Sequence, residues 1–213
     1  IWKSLERKYQ HKVKFLNLST YIKNDKYFRD VTHLTREGGE KYGKKILNMC
    51  GIAGFFGAKK IDDSSIRKTL SSMKNRGPDY SESFEQKIGD NNFIYLLHSR
   101  LSIIDLNDRS NQPFTINEHT IIFNGEIYNY IELKKILEKK GVKFRTNSDT
   151  EVLLQSYILF GEKCLDYLDG MWSFAIYDSK KQILFLSRDR FGEKPLFVWS
   201  RNHGFYFASE IKG

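Results

Sequence analysis

The sequence predicts an α+β fold built on antiparallel sheets. Strand-like runs at 172–177, 183–187, 196–199 and 205–208 crowd together, and two of their connections, Asp178-Ser-Lys-Lys and Arg201-Asn-His-Gly, have hairpin character. The helical patterns stand apart from these runs instead of alternating with them, which argues against a parallel α/β sheet. The chain has 213 residues, 40% hydrophobic and 15% aromatic, enough to bury one good-sized core.

The character of the sequence changes near Asn48-Met49, from a Lys-rich stretch with weak apolar periodicity to the apolar, Gly-rich run Gly-Ile-Ala-Gly-Phe-Phe-Gly at 51–57. That run predicts a buried strand in which backbones pack closely. Asp62-Asp63 can cap a helix with Ile66, Leu70 and Met73 at helical spacing, and Arg76-Gly77-Pro78-Asp79 ends it. Residues 93–97 and 120–123 read as strands. A helix over 131–140 is expected to turn Ile136 and Leu137 inward, with Gly141 as its C-terminal cap. Another is expected over 150–160, apolar at Val152, Leu153, Tyr157 and Phe160 and followed by Gly161.

The formal net charge of +9 raises a nucleic-acid reading, but its location argues against one. Residues 1–48 carry 12 Lys/Arg and 5 Asp/Glu, leaving 23 basic and 21 acidic residues in the nearly neutral body. No run of 18 apolar residues predicts a membrane helix, and Ile1-Trp2-Lys3 leads into polar residues, not a secretory signal. Two cysteines are too few for a disulfide framework, and the five scattered histidines have no zinc-site spacing. A cytoplasmic protein without nucleic acid, membrane or metal is the expectation.

Cys50 is the first candidate for chemistry. A chain translated from Met49 and trimmed of it would begin with Cys50, placing an amine of pKa about 7.7–8.0 beside a thiol of about 8.5. Such an amine can take the thiol proton near neutral pH. The plain alternative is a small buried hydrophobe at a strand start. Asn124-Gly125-Glu126 follows the predicted strand 120–123. The Asn amide and the Gly N–H can supply the two donors of an oxyanion hole. An Asn-Gly hairpin turn is the competing reading, although a helix rather than a strand follows. Arg100 can bind a carboxylate through two parallel bonds. Asp149 can bind an ammonium group or cap the helix that follows, and the cap is the simpler reading. Arg76 and Asp79 are expected only to tie their own turn.

Together these segments resemble the class II glutamine amidotransferase domain of glutamine-hydrolysing asparagine synthetases. The resemblance runs through residues 49–213: Met-Cys-Gly-Ile-Ala-Gly-Phe (49–55), Arg-Gly-Pro-Asp (76–79), His-Ser-Arg-Leu-Ser-Ile-Ile-Asp (98–105), Phe-Asn-Gly-Glu-Ile-Tyr-Asn (123–129) and Ser-Asp-Thr-Glu (148–151). It continues through Leu-Asp-Gly-Met-Trp-Ser-Phe-Ala (168–175), Arg-Asp-Arg-Phe-Gly-Glu-Lys-Pro-Leu (188–196) and Ala-Ser-Glu-Ile-Lys (208–212). It implies an N-terminal-nucleophile fold, a four-layer αββα sandwich of two antiparallel sheets. It also implies roles: Cys50 attacks the glutamine amide, Asn124 and Gly125 hold the oxyanion, Arg100 the substrate carboxylate and Asp149 its ammonium. Glu126 and the backbone around Leu101 and Ile103 would line the pocket.

The same resemblance implies a C-terminal synthetase domain that uses ATP and Mg²⁺; the sequence leaves the oligomeric state open, with a homodimer as one assembly to test. No Ser-Gly-Gly-x-Asp-Ser pyrophosphate loop occurs in these 213 residues, so no cofactor or metal is expected within them. The glutaminase half of a sugar- or polysaccharide-modifying amidotransferase, and a non-catalytic glutamine-binding module, are the alternatives. Residues 1–48 read as a separate leader. Around Asp30 and His33 it resembles the C-terminal Asp-x-x-His block of SGNH (GDSL-like) hydrolases, without a Ser-bearing block before it. A capped amphipathic helix ending near Lys41, Lys44 and Lys45 explains the same residues. The expectation is a translated fragment that joins the tail of one reading frame to the head of the next.

Overall fold

The computed structural model describes residues 50–201 and 204–211, together with the backbone of 13–17. The hydrolase-like block at Asp30 and His33, and the alternative helix ending near Lys45, lie outside the described residues. The strands are β1 (Val13–Asn17), β2 (Gly51–Gly57), β3 (Tyr80–Ile88), β4 (Asn92–Arg100), β5 (Phe114–Ile116), β6 (His119–Ile127), β7 (Gly170–Asp178), β8 (Ile183–Arg188), β9 (Phe197–Arg201) and β10 (Gly204–Ala208). The α-helices are α1 (Asp63–Met73), α2 (Tyr130–Lys139) and α3 (Asp149–Phe160). Among the described residues no helix is long and apolar enough to cross a membrane.

Two five-stranded sheets form, in the orders β3-β4-β2-β10-β9 and β1-β8-β7-β6-β5. Every pairing is antiparallel except that of β1, which runs parallel to β8. Three apolar clusters give the layer order. Ala53, Phe55, Tyr95 and Leu97 pack beneath Ile66, Leu70 and Met73 of α1. Ile52, Phe56, Leu96, Ile122, Ala175, Leu186 and Phe207 fill the space between the sheets. Phe123, Phe174 and Phe185 meet Leu133 and Leu137 of α2 and Val152 and Leu153 of α3. The result is the predicted α-β-β-α sandwich, and all three clusters lie within residues 52–208.

Local chemistry accounts for most boundaries. Asp62 caps α1, its carboxylate accepting from the Ser65 N–H at 2.9 Å. The glycines of β2 do what a close-packed strand requires: a Cβ on Gly54 would sit 2.6 Å from the Tyr95 carbonyl and nearer still to the Phe207 ring. Two expectations need correction, and two strands were not foreseen. The strand holding Phe123 does not stop there, because Asn124, Gly125 and Glu126 pair with Ser173, Trp172 and Met171 and leave no room for a hairpin turn. Strand β3 was not foreseen, since Tyr-Ser-Glu-Ser-Phe-Glu-Gln-Lys-Ile is an edge strand with largely polar, exposed positions. The three-residue β5 is too short to give a pattern.

In α2 the buried pair is Leu133 and Leu137, while Ile136 is 42% exposed. Residues four apart share a helix face, and Ile136 lies about 80° off the middle of that stripe. Leu137→Ala is therefore expected to destabilise the fold by about 2–5 kcal/mol and Ile136→Ala by about 1 kcal/mol or less, read from urea unfolding midpoints. Equal losses at both positions would contradict this helix orientation.

Candidate active site

The space between the sheets changes from apolar to polar at one end, and strand periodicity shows why. Side chains two apart share a face, so each apolar inward row extends to a polar residue. Ile52 leads back to Cys50, Leu96 on to His98 and Arg100, and Ile122 on to Asn124. Likewise Ala175 leads back to Ser173, and Phe207 on to Ser209. Strand pairing gathers these ends, with Gly51 opposite Ser99 and Asn124 opposite Ser173.

Cys50 is buried at the head of β2. Its Sγ receives the Leu101 N–H at 3.3 Å and faces the Leu101 carbonyl at 3.7 Å. Burial pushes the thiol above its ordinary pKa. The Leu101 N–H and the charges of Arg100 and Lys194 oppose the shift, and Asp149 adds to it. Arg76 holds the backbone here, donating from Nε to the Cys50 carbonyl at 2.8 Å and pairing with Glu210 at 3.1 Å. Asp79 accepts from the Ser102 N–H at 2.7 Å and so fixes the loop beyond β4. Arg76 and Asp79 thus reach Cys50 and the loop facing it, rather than merely tying their own turn. Gly77 between them has no alternative, because a Cβ there would lie 2.1 Å from the Ser99 carbonyl.

Arg100 is buried at the end of β4, its guanidinium donating to the Asn111 side-chain oxygen at 2.6 Å and to carbonyls of Ile104, Asp105 and Asn107. Asp149 is the first residue of α3, and the cap is Ser148, whose hydroxyl accepts from the Thr150 N–H at 3.1 Å. The Asp149 carboxylate accepts instead from the Ile127 N–H at 3.1 Å. Burial raises its pKa to about 6, the Ile127 bond opposing and the Glu126 charge adding.

A pocket joins these groups. Cys50, Arg100, Leu101, Ile103, Gly125, Glu126 and Asp149 all line it, so the structure brings together seven of the eight residues singled out in the sequence. The eighth, Asn124, lies just behind the wall. It is fully buried, and its amide nitrogen donates to the Ser209 hydroxyl at 3.4 Å.

Sequence reading gave no role to several groups here. Gln112 lines the pocket, accepting from the Phe123 N–H at 2.6 Å and donating to Thr150 at 3.2 Å. His98 is fully buried, and burial pulls its pKa down to about 3. It is therefore neutral, and its Nε2 donates to the Phe123 carbonyl at 3.1 Å. Lys194 is 1% exposed. Burial first, then the Arg76 charge, lowers it to about 8. No local signal in the sequence marks these contacts, because they join distant segments.

A buried cysteine facing a pocket with a guanidinium, two carboxylates and backbone donors suits attack on the amide of an amino acid. Comparison with known proteins decides the family: the profile of the glutamine amidotransferase domain matches residues 49–213. The chain belongs to the class II glutamine amidotransferase domains. It is 37% identical over 171 residues to the glutamine-hydrolysing asparagine synthetase 3 of Bacillus subtilis, which covers 77% of this chain and 27% of the relative. It is 39% identical over 183 residues to a putative glutamine-hydrolysing asparagine synthetase 2 of Methanocaldococcus jannaschii, covering 78% and 35%. Identity to asparagine synthetase 1 of Bacillus subtilis is 42% over 171 residues, covering 77% and 26%.

The chain thus spans about a quarter to a third of the length of these relatives. Among solved structures, the glutamine phosphoribosylpyrophosphate amidotransferase from Bacillus subtilis superposes with a TM-score of 0.61. Identity is 21%, over 75% of this chain and 42% of that chain, and the likeness shows the shared N-terminal-nucleophile fold.

Proposed function

We propose that the domain hydrolyses glutamine to glutamate and ammonia through a thioester on Cys50, and that the ammonia serves asparagine synthesis from aspartate. The gathering of Arg100, Leu101, Ile103, Gly125, Glu126 and Asp149 in one pocket with the Cys50 thiol carries the proposal. The Cys50 Sγ attacks the side-chain carbonyl carbon of glutamine and its proton passes to the Cys50 α-amine. The Gly125 N–H and the Asn124 hydrogen not directed at Ser209 receive the oxyanion. Collapse breaks the C–N bond and releases ammonia with the transferred proton. Water then hydrolyses the thioester to glutamate and restores the thiol.

Arg100 binds the substrate carboxylate and Asp149 the ammonium, with Glu126, Leu101 and Ile103 shaping the pocket. Asparagine formation belongs to an ATP- and Mg²⁺-dependent synthetase domain of a longer protein, so neither cofactor acts in these 213 residues. A cytoplasmic setting and a homodimer complete the reading, the latter to be tested by sedimentation. The proposal is tested by incubating the chain beginning at Cys50 with glutamine: equimolar glutamate and ammonia are expected, and the absence of both would sink it.

Asp149 gives a pH test. An ammonium partner requires the ionised carboxylate, so kcat/KM for glutamine is expected to fall about tenfold per pH unit below about 6. The folded pKa lies above the ordinary 3.8, so the folded state holds the proton more tightly. This group therefore lowers stability as pH rises from about 4 to 6, and the penalty is complete at pH 7. Asp149→Asn is expected to weaken glutamine binding yet stabilise the fold at pH 7 by about 1–3 kcal/mol. Unchanged KM in that variant would remove Asp149 from the ammonium site.

A further inference from the structure

We infer that Ser209 is a positioning residue for the oxyanion donor Asn124, locking its amide to the strand that carries Cys50. The inference rests on the proposed glutaminase reaction. Ser209 lies just past β10 and is 1% exposed. It makes a two-point attachment to β2: its N–H donates to the Ile52 carbonyl at 2.8 Å, and its Oγ accepts from the Ile52 N–H at 3.1 Å. The same Oγ receives the Asn124 amide nitrogen at 3.4 Å.

Ile52 is two residues from Cys50, so one hydroxyl links the nucleophile strand of one sheet to the oxyanion strand of the other. The amide nitrogen of Asn carries two hydrogens. With one directed at Ser209, the plane of the amide is set and the direction of the second is fixed. Asn124 has no other side-chain anchor, since its Oδ1 is buried without a partner among the described residues. Without Ser209 the amide is free to rotate, and an oxyanion donor works only when aimed before the charge develops.

The test uses the chain beginning at Cys50, whose three apolar clusters all lie within residues 52–208. Two reactions of Cys50 are compared: glutamine hydrolysis, which passes through an oxyanion, and alkylation by iodoacetamide, which does not. Ser209→Ala is expected to lower kcat by about tenfold or more, with KM and alkylation rate within about twofold of the unaltered protein. Adding Ser209→Ala to Asn124→Ala is expected to cost nothing further. If Ser209→Ala does not fold, Ser209→Thr and Ser209→Val give the same contrast in matched shapes, with the threonine protein the faster.

Hydrolysis within twofold in Ser209→Ala, or equal rates for the threonine and valine proteins, overturns the inference while leaving the glutaminase reading intact. Parallel losses in alkylation, or additive losses with Asn124→Ala, assign Ser209 a merely structural part and overturn it as well. No hydrolysis by the unaltered protein removes both.

Discussion

Replacing Cys50 by alanine is expected to lower glutamate release from glutamine at least about a thousandfold. Its thiol lines the pocket shared with Arg100, Glu126 and Asp149. The other cysteine, Cys164, is buried in the cluster between the helices and their sheet, where burial pushes its thiol up to about 12. No second nucleophile of that kind is therefore offered. Alanine also leaves the fold in place: Cys50 sits at the lip of the apolar interior, and its carbonyl, which holds Arg76, is unaffected by the side chain. The variant should retain the unfolding midpoint of the parent, and glutamine should still protect it from heat. Turnover that survives in a folded Cys50→Ala protein would end the nucleophile assignment.

The second large effect concerns the Cys50 nitrogen. Burial holds the thiol in its protonated form, so a base must act before attack. His98 donates from Nε2 to the Phe123 carbonyl, and burial lowers its pKa to about 3, leaving its other nitrogen too weak a base for a buried thiol. Asp149 is occupied by the Ile127 N–H and, in the proposed complex, by substrate. A free α-amine has a pKa of about 7.7–8.0, well placed to take the proton. Bonded to Met49, the same nitrogen is an amide and has no basicity. A chain that begins at Cys50 is expected to hydrolyse glutamine about 10²–10⁴-fold faster than one in which residues 1–49 precede it. N-terminal sequencing alongside the assay would establish which form is present. Equal rates from the two intact forms would show that another group is the base.

Much of the fold was legible because its signals are local. The Asp62 cap, the glycine run of β2 and the apolar runs of β7, β8 and β10 each declare themselves within a few residues. Strand β3 was hidden because an edge strand may keep polar side chains on both faces. Ile136 was misplaced because apolar character says nothing about which side of a helix stripe a residue occupies. The Asn124-Gly125 pair looks like a turn in isolation, and only the partner strand β7 makes it part of a sheet.

The site divides in the same way. Residues with obvious chemistry, such as Cys50, Arg100 and Asp149, stood out one by one, but their supports did not. Ser209 and Ile52 are 157 positions apart, and Arg76 and Cys50 are 26 apart. Neither spacing has a pattern that a sequence window can hold. Only packing the two sheets face to face places these side chains beside the nucleophile.

Mixing the chain that begins at Cys50 with glutamine, quenching in acid within milliseconds and mapping the peptides by mass tests the central claim most directly. A γ-glutamyl group on the Cys50 sulfur, absent from Cys164 and decaying as glutamate appears, is the predicted result. Glutamate released with no adduct, or an adduct on any other residue, would contradict it.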